Sequence, residues 1–547
     1  MERFLVAAIL VGVLARVVTL WTLPPRYDAT AYMAEGHALA QGQGFTAPWG
    51  RYDDPYSSTP GATDLGPVYP VFLAVFYAAF GFSVDVTQAA GIVLALVVLV
   101  AAYVAGRDLY GNRTGLLTCA VLAANPWLVV FPGMEHSENM PTLFFVSALW
   151  GLLRGLRSGN PVHFGLAGLA AALFALTKAQ SLSVGVIAFA AAGFLGWRVY
   201  ERGRRAARGA PTWAFLAAFL APLLAWTVWG PNPGPAPALS QPGPGEVAAA
   251  IVVKLALVLF SIGFTFAFLL PEFLRARHLL RTESGRLLWL SGIGLAALVW
   301  AMLVAAFAAG EMAGDPLWKA EQARHVVPVA VPLIWVAANA PPKAEIPRWF
   351  RVRRRDMRSL VSLALLGAIP VATWVGSYVD GLFLLVLAGA VHMRPTNARI
   401  AILLVLALLV ATNGALDVHR APYVRAGEWL QAHARPGDVV AVDPWSPYAN
   451  GTVVPGPTYK YELYPYVAGH GIKVVPYRDG VNATYILSYR GDNYTGYVLI
   501  QELYWESEPG PLAGLWGALV NLGRGLLGRT APDGPPTPEA WLLDRLP

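Results

Sequence analysis

The sequence predicts an α-helical polytopic membrane protein with a small external C-terminal α/β domain. Of its 547 residues, 56% are apolar and only 13% are charged, whereas a soluble domain has about 25% charged residues. Apolar runs recur along the chain, for example at residues 92–105 and 400–411. These runs predict lipid-facing helices. The 43 Pro and 54 Gly exclude a simple coiled coil. This composition also excludes a large soluble enzyme.

The spacing of the apolar runs predicts about 13 transmembrane helices within residues 1–414. The first span covers residues 4–23; it lacks a small-residue cleavage site and is too long for a signal-peptide core. Residues 24–66 form a long loop. Residues 67–82 are apolar but too short to cross, so an interfacial helix is predicted there. The other spans are predicted at residues 86–106, 114–131, 139–156, 162–177, 181–199, 212–229, 247–270, 287–309, 325–340, 359–378, 381–392 and 399–414.

The basic residues predict the orientation of these spans. Lys and Arg concentrate in alternate loops, such as residues 202–208 and 351–358, and loops rich in them face the cytoplasm. The N-terminus is therefore predicted to be cytoplasmic, and the loop at 24–66 and residues 415–547 to be external. This orientation accounts for the formal charge of +7, so no nucleic-acid partner is predicted.

Polar and charged residues return after the last predicted span. The single cysteine, Cys119, allows no intramolecular disulfide, so an external domain must be held by packing alone. Residues 530–538, dense in Pro and Gly, are predicted to form a loosely ordered arm. The pattern predicts an amphipathic helix at 423–434 and strands at 438–442, 472–477, 483–489 and 497–502.

Ionisable residues collect near the predicted external ends of the spans, where they are costly unless they serve a site. Two carboxylates facing cations on one side of a membrane suit a transfer reaction. One carboxylate removes a proton from an acceptor hydroxyl, while the cations stabilise a phosphate leaving group. The group comprises Arg16, Asp28, Glu135, His136, Glu138, Lys178, Lys254, Glu321, Arg324 and His325.

Structural roles compete with these catalytic ones. Asp28 can cap a short helix that begins near Thr30, and Glu138 can cap the predicted span at 139–156. Lys178 can extend toward the lipid headgroups. The chain shows no His, Cys and Asp spacing of a closed metal site, so no metal ligands are predicted.

Several motifs, taken in order, resemble the GT-C superfamily of membrane glycosyltransferases. The branch is that of the protein O-mannosyltransferases and the lipid A aminoarabinose transferase. The likeness covers residues 1–340 motif by motif and the remainder only in layout. Its motifs are Asp28 with Tyr32, Ala38, Gly42 and Gly44; residues 60–62, 67–74 and 80–81; GRDLYG at 106–111; Asn125 and Pro126; Ser137 and Glu138; ALTK at 175–178; and residues 324–332.

The resemblance implies an inverting transferase that uses a polyprenyl-phosphate-linked sugar at the external face. Carried over residue by residue, Asp28 matches the base and Glu138 the second carboxylate. Lys178 and Arg324 fall at positions suited to the lipid phosphate. A phosphate leaving group is a weak base that two cations can stabilise, so neither a divalent metal nor another cofactor is predicted.

Other residues of the predicted site are chosen because this sequence departs from the family pattern nearby, or because they are close to Glu138 or Arg324 in the sequence. Gly66 stands where the aminoarabinose branch has a basic residue, so Arg51 is a candidate for the missing cation. His325 stands where the family commonly has Tyr, and Glu135 and His136 share the external turn of Glu138. Glu135, His136 and His325 are therefore included in the predicted phosphate- and donor-binding group. The two histidines are interpreted as neighbours of the site and not as metal ligands.

The acceptor stays open between a protein hydroxyl, a lipid and a growing glycan. A secondary transporter is one alternative class, but transporters bind near the bilayer midplane and usually show repeated halves, and no repeat is visible here. A non-catalytic scaffold or sugar-binding membrane protein is another, in which the carboxylates would serve as caps. An oligosaccharyltransferase would carry Trp-Trp-Asp-Tyr-Gly, which this chain lacks.

Overall fold

The computed structural model describes the chain in segments. The predicted spans at 181–199, 359–378, 381–392 and 399–414 contain at most a few described residues, and the predicted arm at 530–538 contains none. The described residues are 2–19, 28–47, 66–125, 128–129, 139–177, 210–230, 243–266, 279, 281–308, 327–339, 362–364, 366, 388, 400, 402–404, 407, 419–420, 422–442, 445–448, 452–455, 458–476, 482–488, 497–503, 506–507 and 540–545.

The described chain up to residue 339 is helical. Each helix lies on a span or interfacial helix predicted from the sequence, except α2, which lies within the predicted loop at 24–66. The helices are α1 (Glu2–Thr19), α2 (Asp28–Ala40), α3 (Val68–Phe80), α4 (Val84–Tyr110), α5 (Asn112–Ala123), α6 (Asn139–Ser158), α7 (Pro161–Ala175), α8 (Ala210–Trp229), α9 (Pro244–Phe266), α10 (Glu283–Ala308) and α11 (Ala330–Ala338).

The outer surface of the bundle carries large apolar side chains. Within the described residues, α4 and α8 have the length and hydropathy of a membrane span, and α3, α7 and residues 327–338 are shorter apolar helices. Leu10 on α1 is 64% exposed and Val100 on α4 is 61% exposed. Such an apolar exterior suits lipid contact better than water. The predicted number of spans stays a prediction.

Local signals in the sequence set the helix ends. The Ser83 side chain accepts a hydrogen bond from the Val86 amide at 3.1 Å and so caps the start of α4. Gly111 ends α4 with a φ of +92°, which favours glycine. The Asn160 side chain accepts from the Val162 amide at 2.9 Å, and Pro161 fills the first position of α7.

Small residues bring the helices of the bundle into close contact. A Cβ atom on Gly12 of α1 would collide with the Ala123 carbonyl oxygen at the end of α5. One on Gly115 of α5 would lie 2.6 Å from the Tyr103 carbonyl oxygen on α4. Close backbone approach of this kind drives helix association in membranes, where the hydrophobic effect between helices is weak. The core of the bundle contains buried residues of α1 and of α4 to α11.

Arg16 is buried inside this packing at 1% exposure. Its guanidinium donates hydrogen bonds to the carbonyl oxygens of Leu122 at 2.8 Å, Ala123 at 2.7 Å and Gly12 at 2.8 Å. The last carbonyls of a helix lack intrahelical partners and carry the negative end of its dipole. Arg16 therefore caps the C-terminus of α5, although the sequence grouped it with the ionisable residues near the external ends.

A polar contact joins α4 to α6 at their C-terminal ends. Asp108 accepts a hydrogen bond from the Trp150 indole at 2.9 Å and pairs with Arg154 at 3.3 Å. Arg157 donates to the Leu109 carbonyl oxygen at 2.6 Å. The predicted orientation makes this end cytoplasmic, so some of the basic residues that define the orientation also hold the bundle together.

The C-terminal part contains a mixed five-stranded sheet with the order β5-β2-β6-β9-β7. Strand β2 pairs in parallel with β5 and β6, and β9 pairs antiparallel with β6 and β7. The elements are β1 (His419–Arg420), α12 (Pro422–His433), β2 (Val439–Val442), β3 (Trp445–Tyr448), β4 (Thr452–Pro455), α13 (Thr458–Val467), β5 (Lys473–Pro476), β6 (Tyr485–Ser488), β7 (Tyr497–Leu503), β8 (Glu506–Ser507) and β9 (Ala540–Arg545).

The helices α12 and α13 pack together against this sheet. Their contact includes Leu430 and Leu463 with Val440 and Leu487 of the strands. The predicted helix at 423–434 corresponds to α12, and the four predicted strands correspond to β2, β5, β6 and β7. The domain boundary between residues 414 and 415 and the external position of this part stay predictions.

Candidate functional site

Asp28 is the one predicted site residue whose backbone the structure describes. It begins α2; its side chain is outside the described part of the chain. For the other predicted site residues, the structure describes elements that border them in the sequence. Asn139, which follows Glu138, begins α6, and Thr177, which precedes Lys178, ends the turn after α7. The other predicted site residues lie outside the described residues: Arg51, Glu135, His136, Glu138, Lys178, Arg324 and His325.

The starts of α2 and α3 meet the end of α7. The Tyr32 hydroxyl on α2 donates a hydrogen bond to the Thr177 carbonyl oxygen at 3.3 Å. The Val68 amide at the start of α3 donates to the Leu176 carbonyl oxygen, also at 3.3 Å. The helix that begins at Asp28 is thus held against the turn that precedes Lys178 in the sequence.

The first turn of α6 joins the same place. Met140 belongs to one buried cluster with Tyr32 and Met33 of α2 and with Tyr69 and Leu73 of α3. Three elements that border predicted site residues, namely the start of α2, the start of α6 and the end of α7, therefore converge. Residues 138, 139 and 177 are far apart in sequence from residue 28, so this convergence is a result of the fold.

Aromatic side chains pack closely between α2, α3 and α4, beside the place where the starts of α2 and α6 meet the end of α7. Tyr32 and Tyr69 contact edge to face, with ring centroids 5.1 Å apart, a favourable geometry for aromatic pairs. The Tyr77 hydroxyl and the Thr87 hydroxyl lie 2.7 Å apart and join α3 to α4. A Cβ atom on Gly36 would lie 2.9 Å from the Leu73 Cβ atom, so α2 and α3 pack closely.

Glu35 is a buried carboxylate that the sequence analysis did not single out. It is 2% exposed, and its spacing from Asp28 puts the two positions on the same side of α2, with position 32 between them. The signal for it was present, because a Glu interrupts an otherwise apolar and small-residue stretch of the predicted loop. Buried carboxylates are uncommon unless they are paired or functional.

The C-terminal part contacts α2 through His37. Its Nδ1 atom lies 3.1 Å from the Tyr464 hydroxyl of α13, and the Gln41 side-chain amide donates to its Nε2 atom at 2.9 Å. The ring also stacks on Phe82 with centroids 4.1 Å apart. Because Nε2 accepts, the hydrogen-bond network assigns the proton to Nδ1, which donates to the Tyr464 oxygen. The helix that begins at Asp28 is therefore also fixed to the C-terminal part.

Burial shifts the pKa values of the two groups in this contact. It lowers the pKa of His37 and raises the pKa of the Tyr464 hydroxyl. Both groups are thus held in their neutral forms. Among the described residues, Tyr464 is the titratable group that contacts the His37 ring.

We expect the contact between α2 and α13 to weaken in mildly acidic solution. Above the unfolded pKa of about 6.5, His37 is neutral in both states and the contact contributes fully. As the pH falls below this value toward the lower folded pKa, the unfolded chain takes up the proton more readily than the folded protein, and the contribution is progressively lost. The measurement is the thermal stability of the detergent-solubilised protein as a function of pH.

His37→Gln is the informative variant for this pH effect, because its side chain stays neutral. It should lose less stability than wild type on acidification, whereas His433→Gln, at the exposed end of α12, should behave as wild type. Equal acid sensitivity in wild type and His37→Gln would contradict the assignment.

The described residues contain no group of three His, Cys, Asp or Glu side chains placed to hold a metal ion. Glu135, His136, Glu138 and His325 lie outside that part of the chain. A reaction without a metal or other cofactor therefore remains a prediction based on the chemistry of the leaving group.

Comparison with protein families gives one match. Residues 64–229 match the family described as Dolichyl-phosphate-mannose-protein mannosyltransferase. This segment contains α3 to α8 together with Glu138 and Lys178, and begins after α2. The comparison with curated proteins gave no match.

The fold is similar to that of ArnT from Cupriavidus metallidurans. The crystal structure of ArnT bound to undecaprenyl phosphate aligns with a TM-score of 0.57 and 12% sequence identity, covering 98% of this chain and 97% of that chain. The apo structure aligns with a TM-score of 0.55 and 14% identity, covering 89% of this chain and 92% of that chain. At this identity, the likeness shows a shared fold.

Proposed function

We propose that the chain is an inverting glycosyltransferase, as its motifs predict. Its fold is that of the GT-C membrane glycosyltransferases, and it carries a segment of the protein mannosyltransferase type. It moves a sugar from a polyprenyl-phosphate donor to an acceptor hydroxyl at the external membrane face. The observation that carries this proposal is the convergence of the starts of α2 and α6 with the end of α7. These elements border Asp28, Glu138 and Lys178.

The relatives support the class of donor. The matched family is described by a dolichyl-phosphate-linked mannose, and ArnT was solved with undecaprenyl phosphate bound. Both ligands join a polyprenyl chain to a phosphate. A protein with an apolar exterior can accept such a chain from the bilayer while its phosphate reaches the interface.

The proposed reaction is a single displacement at the sugar C1 atom. The acceptor oxygen attacks C1 from the face opposite the phosphate and forms the new glycosidic bond, which inverts the anomeric centre. The bond between C1 and the phosphate oxygen breaks, and polyprenyl phosphate leaves with the electron pair. Asp28 takes the acceptor proton, which typically contributes about 10²- to 10⁴-fold. Glu138 is the second carboxylate beside the site.

Cations stabilise the departing phosphate in this proposal. Lys178, Arg324 and Arg51 are the candidates. His325 follows Arg324 in the sequence, and Glu135 and His136 share the turn of Glu138. Charge-assisted hydrogen bonds to phosphate are roughly twice as strong as neutral ones. No step then requires a divalent metal.

A donor panel tests the proposed function. Membranes that contain the protein are incubated with a series of polyprenyl-phosphate sugars, and the lipid and protein fractions are analysed by mass spectrometry. We expect one donor to be consumed with release of polyprenyl phosphate and appearance of the sugar on an acceptor. Consumption of no donor, in membranes that supply protein, lipid and glycan acceptors, would contradict the proposal.

We expect Arg324→Ala to weaken donor binding by about tenfold or more, and Lys178→Ala to weaken it less. The planar guanidinium of Arg can form two parallel bonds to a phosphate, which a lysine cannot replace. The loss should appear in kcat/KM and in the binding of a non-reactive polyprenyl phosphate. Arg113→Ala, at the exposed start of α5, is the control. Wild-type binding by Arg324→Ala would remove this residue from the phosphate site.

The external position of the C-terminal part can be tested by glycosylation. Acceptor sequences occur at Asn112, Asn450, Asn482 and Asn493, and a glycosylating host modifies those on the external side. The predicted orientation allows glycans on the last three and excludes one on Asn112. The Asn482 side chain is exposed, so it is accessible for modification. A glycan on Asn112 would reverse the predicted orientation.

A further inference from the structure

Tyr32 joins two elements of the candidate site through its hydroxyl group. The residue is completely buried, one helical turn after Asp28 on α2. Its ring packs against Tyr69, and a Phe ring would pack there equally well. Its hydroxyl is an additional polar group in a buried place and needs a partner there. It donates to the Thr177 carbonyl oxygen at 3.3 Å.

The turn that receives this bond is itself well fixed. The Thr177 amide donates to the Phe174 carbonyl oxygen at 3.2 Å, and the Thr177 hydroxyl donates to the Leu173 carbonyl oxygen at 2.8 Å. The Leu176 carbonyl oxygen accepts from the Val68 amide of α3. The end of α7 is thus held to its own last turn and to α3. Tyr32 adds the bond that ties α2 to this fixed turn.

We propose that Tyr32 is a positioning residue of the transfer reaction: its hydroxyl holds the first turns of α2, which begin at Asp28, at a set distance from the turn at residues 176–177. This inference rests on the proposed function. A base must stand within hydrogen-bond reach of the acceptor hydroxyl, and a displacement of about 1 Å can cost 10²-fold in rate. This hydrogen bond acts by fixing the position of α2, and Tyr32 itself does not contact the substrate.

Tyr32→Phe removes the hydroxyl and keeps the ring, and Tyr77→Phe is its matched control. Tyr77 is also buried, and its hydroxyl bonds the Thr87 hydroxyl and so joins α3 to α4, whereas its ring, which Phe keeps, contacts α2 near Gly36. Each variant loses the hydroxyl oxygen and, with it, the hydrogen bond described above. A general loss of stability would appear in both, whereas loss of the tie to α2 appears only in the first.

Two measurements decide the proposal. In hydrogen exchange, the amides of the first turns of α2 should exchange faster in Tyr32→Phe than in wild type, and at the wild-type rate in Tyr77→Phe. In the transfer assay, Tyr32→Phe should lower kcat about tenfold with donor KM nearly unchanged, while Tyr77→Phe keeps both. Because Tyr32 acts through the position of α2, adding Tyr32→Phe to Asp28→Asn should lower the residual rate little further.

The outcomes separate this proposal from the proposed function. Unchanged exchange in α2, or a normal kcat in Tyr32→Phe with an active wild type, would overturn the positioning role and leave the transferase intact. A wild type that transfers from no donor would overturn the proposed function, and the positioning role with it. Equal losses in Tyr32→Phe and Tyr77→Phe would show that Tyr32 contributes only to stability.

Discussion

Asp28→Asn should slow sugar transfer by roughly 10² or more while folding and donor binding stay nearly unchanged. Asn has the size and polarity of Asp but cannot take a proton from the acceptor hydroxyl. The loss should therefore fall on kcat, with the KM for donor close to the wild-type value. Single-turnover kinetics with a purified polyprenyl-phosphate sugar measure the chemical step directly.

The same substitution also tests the structural alternative for Asp28. Asn and Asp cap helices about equally well, so a residue that serves only to start α2 should tolerate the change almost silently. Asp85→Asn is the matched control, because Asp85 is an exposed acidic residue in the first turn of α4. Near-normal turnover in Asp28→Asn would remove the catalytic role and leave the capping role.

The sequence predicted those features whose causes are local. Apolar runs located the helices of the bundle, and the short run at 67–82 became α3. Gly111 ends α4 because a positive φ favours glycine. Ser83 precedes α4 because its side chain accepts a hydrogen bond from an amide of the first helical turn. A short helix that begins near Thr30 was only an alternative within the loop predicted at 24–66, and the structure has α2 there, beginning at Asp28.

The sequence could not predict contacts between residues far apart in the chain. Tyr32 and Thr177 are separated by 145 positions and His37 and Tyr464 by 427, and nothing in either local pattern names the partner. Strand β9 shows the same limit. It completes the sheet between β6 and β7, yet it follows a Pro- and Gly-rich stretch and was not predicted, because a strand of six residues gains its stability from neighbours rather than from its own pattern.

Arg16 illustrates how a charged residue within a span can have a structural role. Intramembrane ionisable residues are often functional, and the sequence placed Arg16 with the ionisable residues near the external ends. Its three described hydrogen bonds go instead to backbone carbonyl oxygens, two of them on α5, 106 and 107 positions away. A helix end inside an apolar bundle needs such donors, since water cannot supply them there.

Arg16→Met should destabilise the protein by about 3 kcal/mol. Met is of similar length and apolar, so the variant keeps much of the packed volume but leaves the Leu122 and Ala123 carbonyl oxygens without their charged donor. Removing a buried charge also relieves its desolvation cost, which offsets part of this loss. The carbonyl groups cannot move to other partners easily, because close packing at Gly12 fixes the end of α5 against α1.

Reversible unfolding in mixed micelles measures this effect, with two further variants for comparison. Arg16→Lys keeps the charge but not the planar fork that reaches both helices, so we expect an intermediate loss. Leu10→Met, on the exposed apolar side of the same helix, should be close to wild type. An Arg16→Met protein as stable as wild type would mean that relief of the buried charge fully offsets the orphaned carbonyl groups. Arg16 would then have to be retained for a reason other than capping α5.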